Sequence, residues 1–484
     1  MLRCTGAETR SSYRVKDDTS RPRELLVSVS RDAPGTLGAQ IEGELRARIR
    51  DGVLRAGTVL PSTRDLARQL GISRRVVVDA YGQLTAEGYL EVRQGARPLV
   101  AAPAVGAAPE PHAPPPRPAE PRFDFRPSMP DVTTFPRSAW ARCLRRAATS
   151  ISDADLGYGD PRGVEALRAA LADYLGRVRG VAASPENVVV TTGYTQGLAI
   201  VCRALAGSGA TRIALESPAD PEYAMIAGRA GLEPVPVAVD LDGIRVDFLK
   251  RAAADAVAIT PAHQHPTGAV LSSERRSELV GWLRDSGGIA VEDDYDAEYR
   301  YDRAAVGAVQ GLEPDRVVYA GSTAKTLAPA LRLGWLVVPS WLGDAVRTEK
   351  LLADRGTSRI EQLAFVEFLA EGHLDRHRRR MRLRYAARRA ALIEALAEEL
   401  PDAKVRGIAA GLHVTVELSA DVDEAAVVAA AAARRIAVAS MSDYGERSRP
   451  PMLMLGYGHL PEPAVRPGVR ELAEAVRAAR GTGA

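Results

Sequence analysis

Lysine is nearly absent from this 484-residue chain. Of 64 basic side chains only Lys16, Lys250, Lys325, Lys350 and Lys404 are lysines, and the rest are arginines. Cysteine is also scarce. Cys4, Cys143 and Cys202, few and odd in number, suit a reducing cytoplasm better than a disulfide framework. The first 32 residues are polar and mixed in charge and lack the apolar stretch of a signal peptide. Nowhere does the chain offer about 18 uninterrupted apolar residues, which argues against a membrane span. A large excess of one charge is missing as well, since the formal net charge is +3. Its distribution is uneven: residues 1–100 hold 17 Lys+Arg against 12 Asp+Glu, so a basic front precedes a near-neutral body. That asymmetry points toward an anionic polymer as partner.

What is present fits a globular protein of several domains. Hydrophobic residues make up 46% and charged residues 26%, enough for a sizeable core. Residues 101–122, "AAPAVGAAPEPHAPPPRPAEPR", contain eight prolines and no apolar period. They read as an extended linker of about 3 Å per residue, roughly 60 Å in reach. The chain therefore divides into a tail (1–35), a front module (36–100), the linker and a body (123–484). In the body, "NVVVTTG", "TRIALES", "DAVAITP", "GGIAVEDD" and "DRVVYAG" are strand-like. Helix-like stretches such as "TQGLAIVCRALAG" and "SERRSELVGWLRDSG" separate several of them. The alternation predicts an α/β domain with a mainly parallel sheet, where ligands bind at the carboxyl ends of strands. A long amphipathic helix, "RHRRRMRLRYAARRAALIEALAEEL", then "GLHVTVEL" and "PMLMLGYG", predict a smaller α+β domain.

The front module carries a helix-turn-helix pattern. Ile41, Leu45 and Ile49 share one helical face. In "LPSTRDLARQLGIS", Ser62 is placed to cap a helix, with Asp65 three residues on, and Gly71 to turn the chain. Ser73 caps a second helix, and "YLEVRQGARPLV" reads as a β-hairpin wing turning near Gly95. Ser62 and Arg64 then open one helix, and Ser73, Arg74, Arg75 and Val77 open the next. Residues at the start of a recognition helix contact base edges, while neighbouring Ser and Arg position phosphates. A three-helix bundle with a solvated basic face is the plain alternative.

Five pieces of the body stand at strand ends. Gly193, Tyr194 and Thr195 form either an ordinary glycine turn or a helix N-terminus that binds an anion. In "PAHQHPTG", His263 and His265 lack the further His or Cys of a zinc site. Gln264, His265 or Thr267 as polar groups against a ring, or a plain turn, are the other readings. "VEDDYDAEYRY" is either a solvated acidic loop or a source of a carboxylate for a buried cationic ring nitrogen. Lys325 is either one of the few solvated lysines or a primary amine required as such, since a guanidinium cannot act as a Schiff-base nucleophile. Ser322 precedes it by three residues. Arg332, in an apolar run, suits bidentate phosphate recognition. Together these are the parts of a pyridoxal phosphate site.

"DGVLRAGTVLPSTRDLARQLGISRRVVVDAYGQLTAEGYLEVRQG" resembles the GntR-type winged helix, with Arg97 and Pro98 standing where a second wing glycine is common. Over roughly residues 123–480 the body resembles fold-type I aminotransferases, and the whole chain resembles MocR/GabR-type transcriptional regulators. That resemblance implies pyridoxal 5'-phosphate as cofactor. Lys325 would hold it as a Schiff base, Asp293 would pair with the pyridine nitrogen, and Tyr295 would lie beside the 3-hydroxyl. His263 and Gln264 match a cofactor-binding stretch. Ser322, Arg332, Gly193, Tyr194 and Thr195 match phosphate-binding positions. "GYGDPRG" (157–163) matches a loop near the cofactor and the dimer interface.

Three positions depart from the pattern. Asp220 stands at the aromatic position that stacks on the ring, with Tyr223 nearby. Ala324 replaces a serine. Met454 stands where catalytic aminotransferases carry an arginine for the substrate carboxylate, with Arg447 and Arg449 close by. The resemblance implies a homodimeric, cytoplasmic regulator whose winged helix, set against the partner's body, binds operator DNA. It would sense an amine or amino acid by aldimine exchange at Lys325. A catalytically active aminotransferase with an accessory DNA-binding module is the alternative.

Overall fold

The computed structural model describes residues 27–93, 96–101, 120–127, 129–301, 306–445 and 450–480. The chain forms two compact units, divided between residues 117 and 118. Most of the expected tail and linker, and the wing turn at Gly95, lie outside the described residues.

The first unit is built from the helices Leu37–Arg50, Thr63–Leu70 and Arg74–Ala86. Ser62 caps the second by accepting from the Asp65 amide at 3.2 Å and donates its hydroxyl to the Asp65 carboxylate at 2.6 Å. Ser73 caps the third. Ile41, Leu45, Ile49, Leu66, Val77 and Leu84 close one core with no solvent exposure. Leu90–Glu91 and Leu99–Val100 pair antiparallel as the stem of a wing. Gly71 ends the second helix at φ +65°, the left-handed conformation that reverses the chain at least cost in glycine.

The second unit holds an eight-stranded sheet. Its order across the sheet is Val188–Thr191, Gly334–Val337, Val317–Ser322, Ile289–Asp294, Ala256–Ile259, Arg212–Ser217, Glu233–Asp240 and Gly243–Ile244. The central strands run parallel and are buried on both faces, which is why they read as valine, isoleucine and alanine runs without alternation. Gly334–Val337 is an antiparallel insert between Val188–Thr191 and Val317–Ser322. It occupies the apolar run after Arg332. Its entry depends on close packing: a Cβ on Gly334 would stand 2.8 Å from the Gly193 Cα and 3.0 Å from the Gly321 carbonyl oxygen. All five strand-like segments read from the body are strands, and both helix-like stretches are helices.

A second, four-stranded antiparallel sheet has the order Lys404–Arg406, His413–Glu417, Met452–Gly456, Ala439–Ser440. The helices His373–Glu399, Glu424–Ala433 and Glu462–Ala479 accompany it. Their common core includes Phe125, Tyr385, Leu392, Leu455 and Val469. This is the expected smaller α+β lobe.

Gly71→Ala isolates backbone strain, because its new Cβ meets nothing within 4 Å. The left-handed conformation costs about 1–2 kcal/mol for a residue with a side chain. In calorimetry of the full-length chain, the transition of the winged-helix unit falls by at least about 4 °C. The transition of the larger unit stays in place. An unmoved first transition refutes the assignment of Gly71 to an obligatory turn.

Candidate functional site

In the first unit, Arg64, Ser73, Arg74 and Arg75 are exposed and Ser62 is half-buried, all at the start of the second and third helices. Arg74 is steadied by the Thr63 hydroxyl at 3.3 Å, and Arg75 lies 3.8 Å from Asp79. Val77 corrects the sequence reading. It is fully buried, because helical spacing places it with Ala80, Tyr81 and Leu84 on the inward face. Val78, one residue on, is 44% exposed and faces outward instead.

In the second unit, the predicted residues gather at the carboxyl edge of the parallel sheet. Asp293, next to last in its strand, is in register with Ala320 of the neighbouring strand, which ends at Ser322 just before the turn that carries Lys325. On the far side of the inserted strand, Gly193 (φ +130°) opens the helix Tyr194–Gly207. A Cβ on Gly193 would stand 3.5 Å from the Arg332 guanidinium, so the arginine lies against the glycine turn. Arg332 itself holds a left-handed φ of +48°. It makes no ion pair or side-chain hydrogen bond among the described residues and is exposed. The Gly193 amide donates to the Thr191 hydroxyl at 3.3 Å; the amides of the first helical turn after it, next to a guanidinium without a carboxylate, form a site for an anion.

Asp293 is 5% exposed, and among the described residues nothing donates a hydrogen bond to its carboxylate. Burial and the neighbouring Asp294 hold its pKa well above the ordinary value, while Lys325 acts in the opposite sense. Burial lowers the Lys325 pKa, opposed by Asp293, Asp296 and Asp220. The backside of the same strand is ion-paired: Asp294 Oδ2 accepts from Arg179 Nε at 2.6 Å and from the Tyr319 hydroxyl at 2.7 Å. Alternation along one strand thus separates a carboxylate kept in place from one left open.

Tyr295 donates its hydroxyl to the His263 carbonyl at 2.9 Å, and His263 Nδ1 lies 3.0 Å from the Asp296 carboxylate. Gln264 departs from the expectation of a cofactor contact. Its Nε2 donates to the His265 carbonyl and, 46 and 48 residues away, to the Pro218 carbonyl and the Glu216 carboxylate, while its Oε1 accepts from Thr267, so both ends are engaged within the protein. With 1% exposure it has nothing left to offer a ligand. Thr195 is exposed on the first helical turn. Met454 is fully buried in the small sheet, and Arg447 and Arg449 lie outside the described residues.

Further residues adjoin the site: Tyr223 and Asp220, noted in the sequence as a departure, and His413 and Lys350, to which the sequence reading assigned no role there. Tyr223 packs edge-on against Tyr194, 5.4 Å between ring centroids, and burial together with Asp293 raises both phenols. Asp220 caps the helix Pro221–Arg229, which carries Tyr223. From the small lobe, His413 packs at a tilt 5.0 Å from His263 and edge-on 5.5 Å from His265. Lys350, fully buried, donates to Asp354, Gln196 and Thr357 at 2.7, 3.2 and 3.0 Å. Gln196 in turn accepts from the Thr192 amide beside Gly193. A compact ammonium has three donors and meets three acceptors there, which explains a second lysine in a chain of arginines. Only its rarity was visible beforehand.

His265 is partly buried, and desolvation, Lys325 and His263 lower its pKa to about 3. Its folded value lies below the unfolded one of about 6.5. Its contribution is therefore complete above pH 6.5 and is lost as pH falls toward 3. Glu216, raised by burial to about 7, has the opposite sign: its contribution is present below 4.5 and is lost as pH rises through 7. The two are separated by comparison. Between pH 6.5 and 4.5, His265→Gln gains stability relative to the parent, by up to about 1.4 kcal/mol per pH unit. Denaturant unfolding across that range measures the difference, and a flat difference refutes a buried neutral imidazole.

Residues 37–100 match the family model for bacterial regulatory proteins of the gntR family, and residues 132–449 match that for aminotransferase class I and II. The probable rhizopine catabolism regulatory protein MocR of Rhizobium meliloti is 33% identical, over 95% of this chain and 97% of its own. The pyridoxine biosynthesis transcriptional regulator PdxR of Corynebacterium glutamicum is 30% identical, over 94% of this chain and 99% of its own. Among solved structures, the multiple substrate aminotransferase of Thermococcus profundus superposes with a TM-score of 0.68 at 24% identity, over 75% of this chain and 93% of its own, which establishes the fold of the larger unit. The chain belongs to the MocR-type helix-turn-helix transcriptional regulators, in which a GntR-family DNA-binding domain is joined to an aminotransferase class I and II domain.

Proposed function

We propose that this regulator holds pyridoxal 5'-phosphate at Lys325 and uses it to sense an amine or amino acid. The observation that carries this reading is Asp293: a buried carboxylate without a partner among the described residues, electrostatically coupled to a lysine amine. Leaving a buried charge unpaired is costly, and a cationic ring nitrogen would compensate it. When bound, the cofactor supplies an aldehyde carbon open to attack by primary amines and a pyridine ring that withdraws electrons.

The chain's own groups divide the work. Burial favours the neutral, nucleophilic form of Lys325. Asp293 favours a protonated ring nitrogen. The turn at Gly193 and the amides of Tyr194 and Thr195, with Arg332 and Ser322, receive the phosphate. Tyr295, anchored on His263, lines the 3-hydroxyl side. Tyr223 and Tyr194 wall the site and supply the aromatic surface absent at Asp220. Met454 removes the usual carboxylate clamp, which favours sensing over turnover of ordinary α-amino acids.

The protein acts in the cytoplasm as a homodimer. Tyr158, 87% exposed beneath Arg355 on the 157–163 loop, is offered to the second copy. The effector shifts operator binding through different affinities for two conformations of the body.

Full-length protein mixed with pyridoxal phosphate develops a visible absorption band that Lys325→Ala abolishes. Asp293→Asn weakens cofactor binding at least about tenfold. A parent protein that takes up no cofactor refutes this reading while leaving the DNA-binding unit untouched. For that unit, Arg74→Ala and Arg75→Ala each weaken operator binding. Each also makes the log–log salt dependence shallower by about 0.9 if its guanidinium meets a phosphate. Unchanged slopes for both remove the recognition-helix assignment.

A further inference from the structure

The aminotransferase-like unit carries a basic face of its own. The helix Arg137–Ser150 exposes Arg137, Arg142 and Arg145, and the helix His373–Glu399 exposes Arg376, Arg379 and Arg380. The two rows meet. Arg142 and Arg376 approach the two nitrogens of His373 at 3.5 and 2.8 Å. Arg137 and Arg380 both donate to the 132–134 turn, at the Thr133 and Thr134 carbonyls, each at 3.2 Å.

The carboxylates nearby are already engaged by other arginines. Glu367 and Glu371 bind Arg146, Asp375 lies 3.5 Å from Arg378, and Asp131 lies 2.7 Å from Arg388. Among the described residues none of the six exposed arginines pairs with a carboxylate. This excess sits on a body whose charge otherwise sums close to zero. It is therefore a concentration, not a share of a general surplus.

We propose that this face binds the phosphate backbone of duplex DNA beside the sequence read by the winged helix, giving the regulator a second, sequence-independent grip. The inference rests on the regulator family and not on the cofactor. Three features favour nucleic acid over an acidic protein. Guanidinium forks match phosphate oxygens. Arg376 and Arg380 follow one helical turn apart, about 6 Å, as a row along a polyanion. Among the described residues the large exposed apolar side chains on this face are Val132 at the turn and Leu383 on the helix, too few for the apolar core of a protein interface.

The test uses full-length protein and a mixed-sequence duplex of about 60 base pairs, long enough to extend past a single bound module. Binding is followed by fluorescence anisotropy across a sodium chloride series. Replacing Arg142, Arg376 and Arg380 together by Ala makes the log–log slope shallower by about 2 to 3, at ~0.9 per lost phosphate contact. Its loss adds to that of Arg74→Ala with Arg75→Ala, because the two faces are independent. Replacing the same three by Lys keeps the slope within about one contact of the parent. Arg379→Glu is a second probe that disturbs no bond within the fold, and it also makes the slope shallower. Parental slopes for both the triple Ala variant and Arg379→Glu overturn the proposal. So does loss of poly-glutamate binding without loss of DNA binding, which assigns the face to an acidic protein.

Discussion

The larger unit is organised around one electrostatic constraint: a partly buried amine, Lys325, and a buried carboxylate, Asp293, stand at the carboxyl edge of a parallel sheet. Neither Lys325 nor Asp293 is at ease there. Burial pushes the lysine toward its neutral form and the aspartate toward its protonated one, and each moderates the other. A fold driven only by stability would replace both with apolar groups, since desolvation commonly exceeds what a buried pair returns. Their retention, next to a guanidinium left without a carboxylate, marks the edge as a place for a ligand with complementary charges. The surrounding architecture keeps the tension local. Asp294 is neutralised by Arg179 and Tyr319, and Glu292 accepts the Val309 and Gln310 amides, so the charge left open is confined to one side of one strand.

Much of this was legible in the sequence, for identifiable reasons. Valine runs bounded by glycine or aspartate declare buried parallel strands. Capping serines and Gly71 declare the helix-turn-helix, because those positions obey local rules that tertiary packing seldom overrides. The order of Gly193, Asp293, Lys325 and Arg332 along the chain became a site only because parallel strands bring their carboxyl ends together. What stayed hidden depended on contacts between distant segments. The strand Gly334–Val337 looks like any apolar run, and its place is decided by how closely Gly334 approaches Gly193 and Gly321. His413 is 150 residues from His263 in the chain, and no periodicity links them.

The two corrections have the same origin. Val77 and Gln264 were assigned by proximity to functional neighbours, and in each case the backbone had a prior claim. On the third helix, a step of one residue turns a side chain by about 100°, enough to exchange the DNA side for the core. In the 264–269 turn, Gln264 satisfies two carbonyls and the Thr267 amide, groups that would otherwise be buried unpaired. A polar side chain engaged within the protein still serves the site, but by holding the neighbouring His263 and His265 in place.

Those two histidines locate the joint through which a ligand could act. They stand in the turn that follows the strand Ala256–Ile259 of the large sheet, His413 stands on the small sheet, and the three imidazoles pack across the boundary between lobes. Burial, with the neighbouring positive charges, lowers the pKa of both His265 and His413, so their contact is one of shape and polarisability rather than like-charge repulsion. Such a contact is sensitive to sub-ångström rearrangement, because dispersion between packed rings weakens steeply with separation. Under the proposed function, a ligand held at Lys325 would bias the arrangement of the lobes through this contact. Coupling of that kind requires no substrate turnover. On that proposal the lobes need only distinguish two occupancies of one pocket.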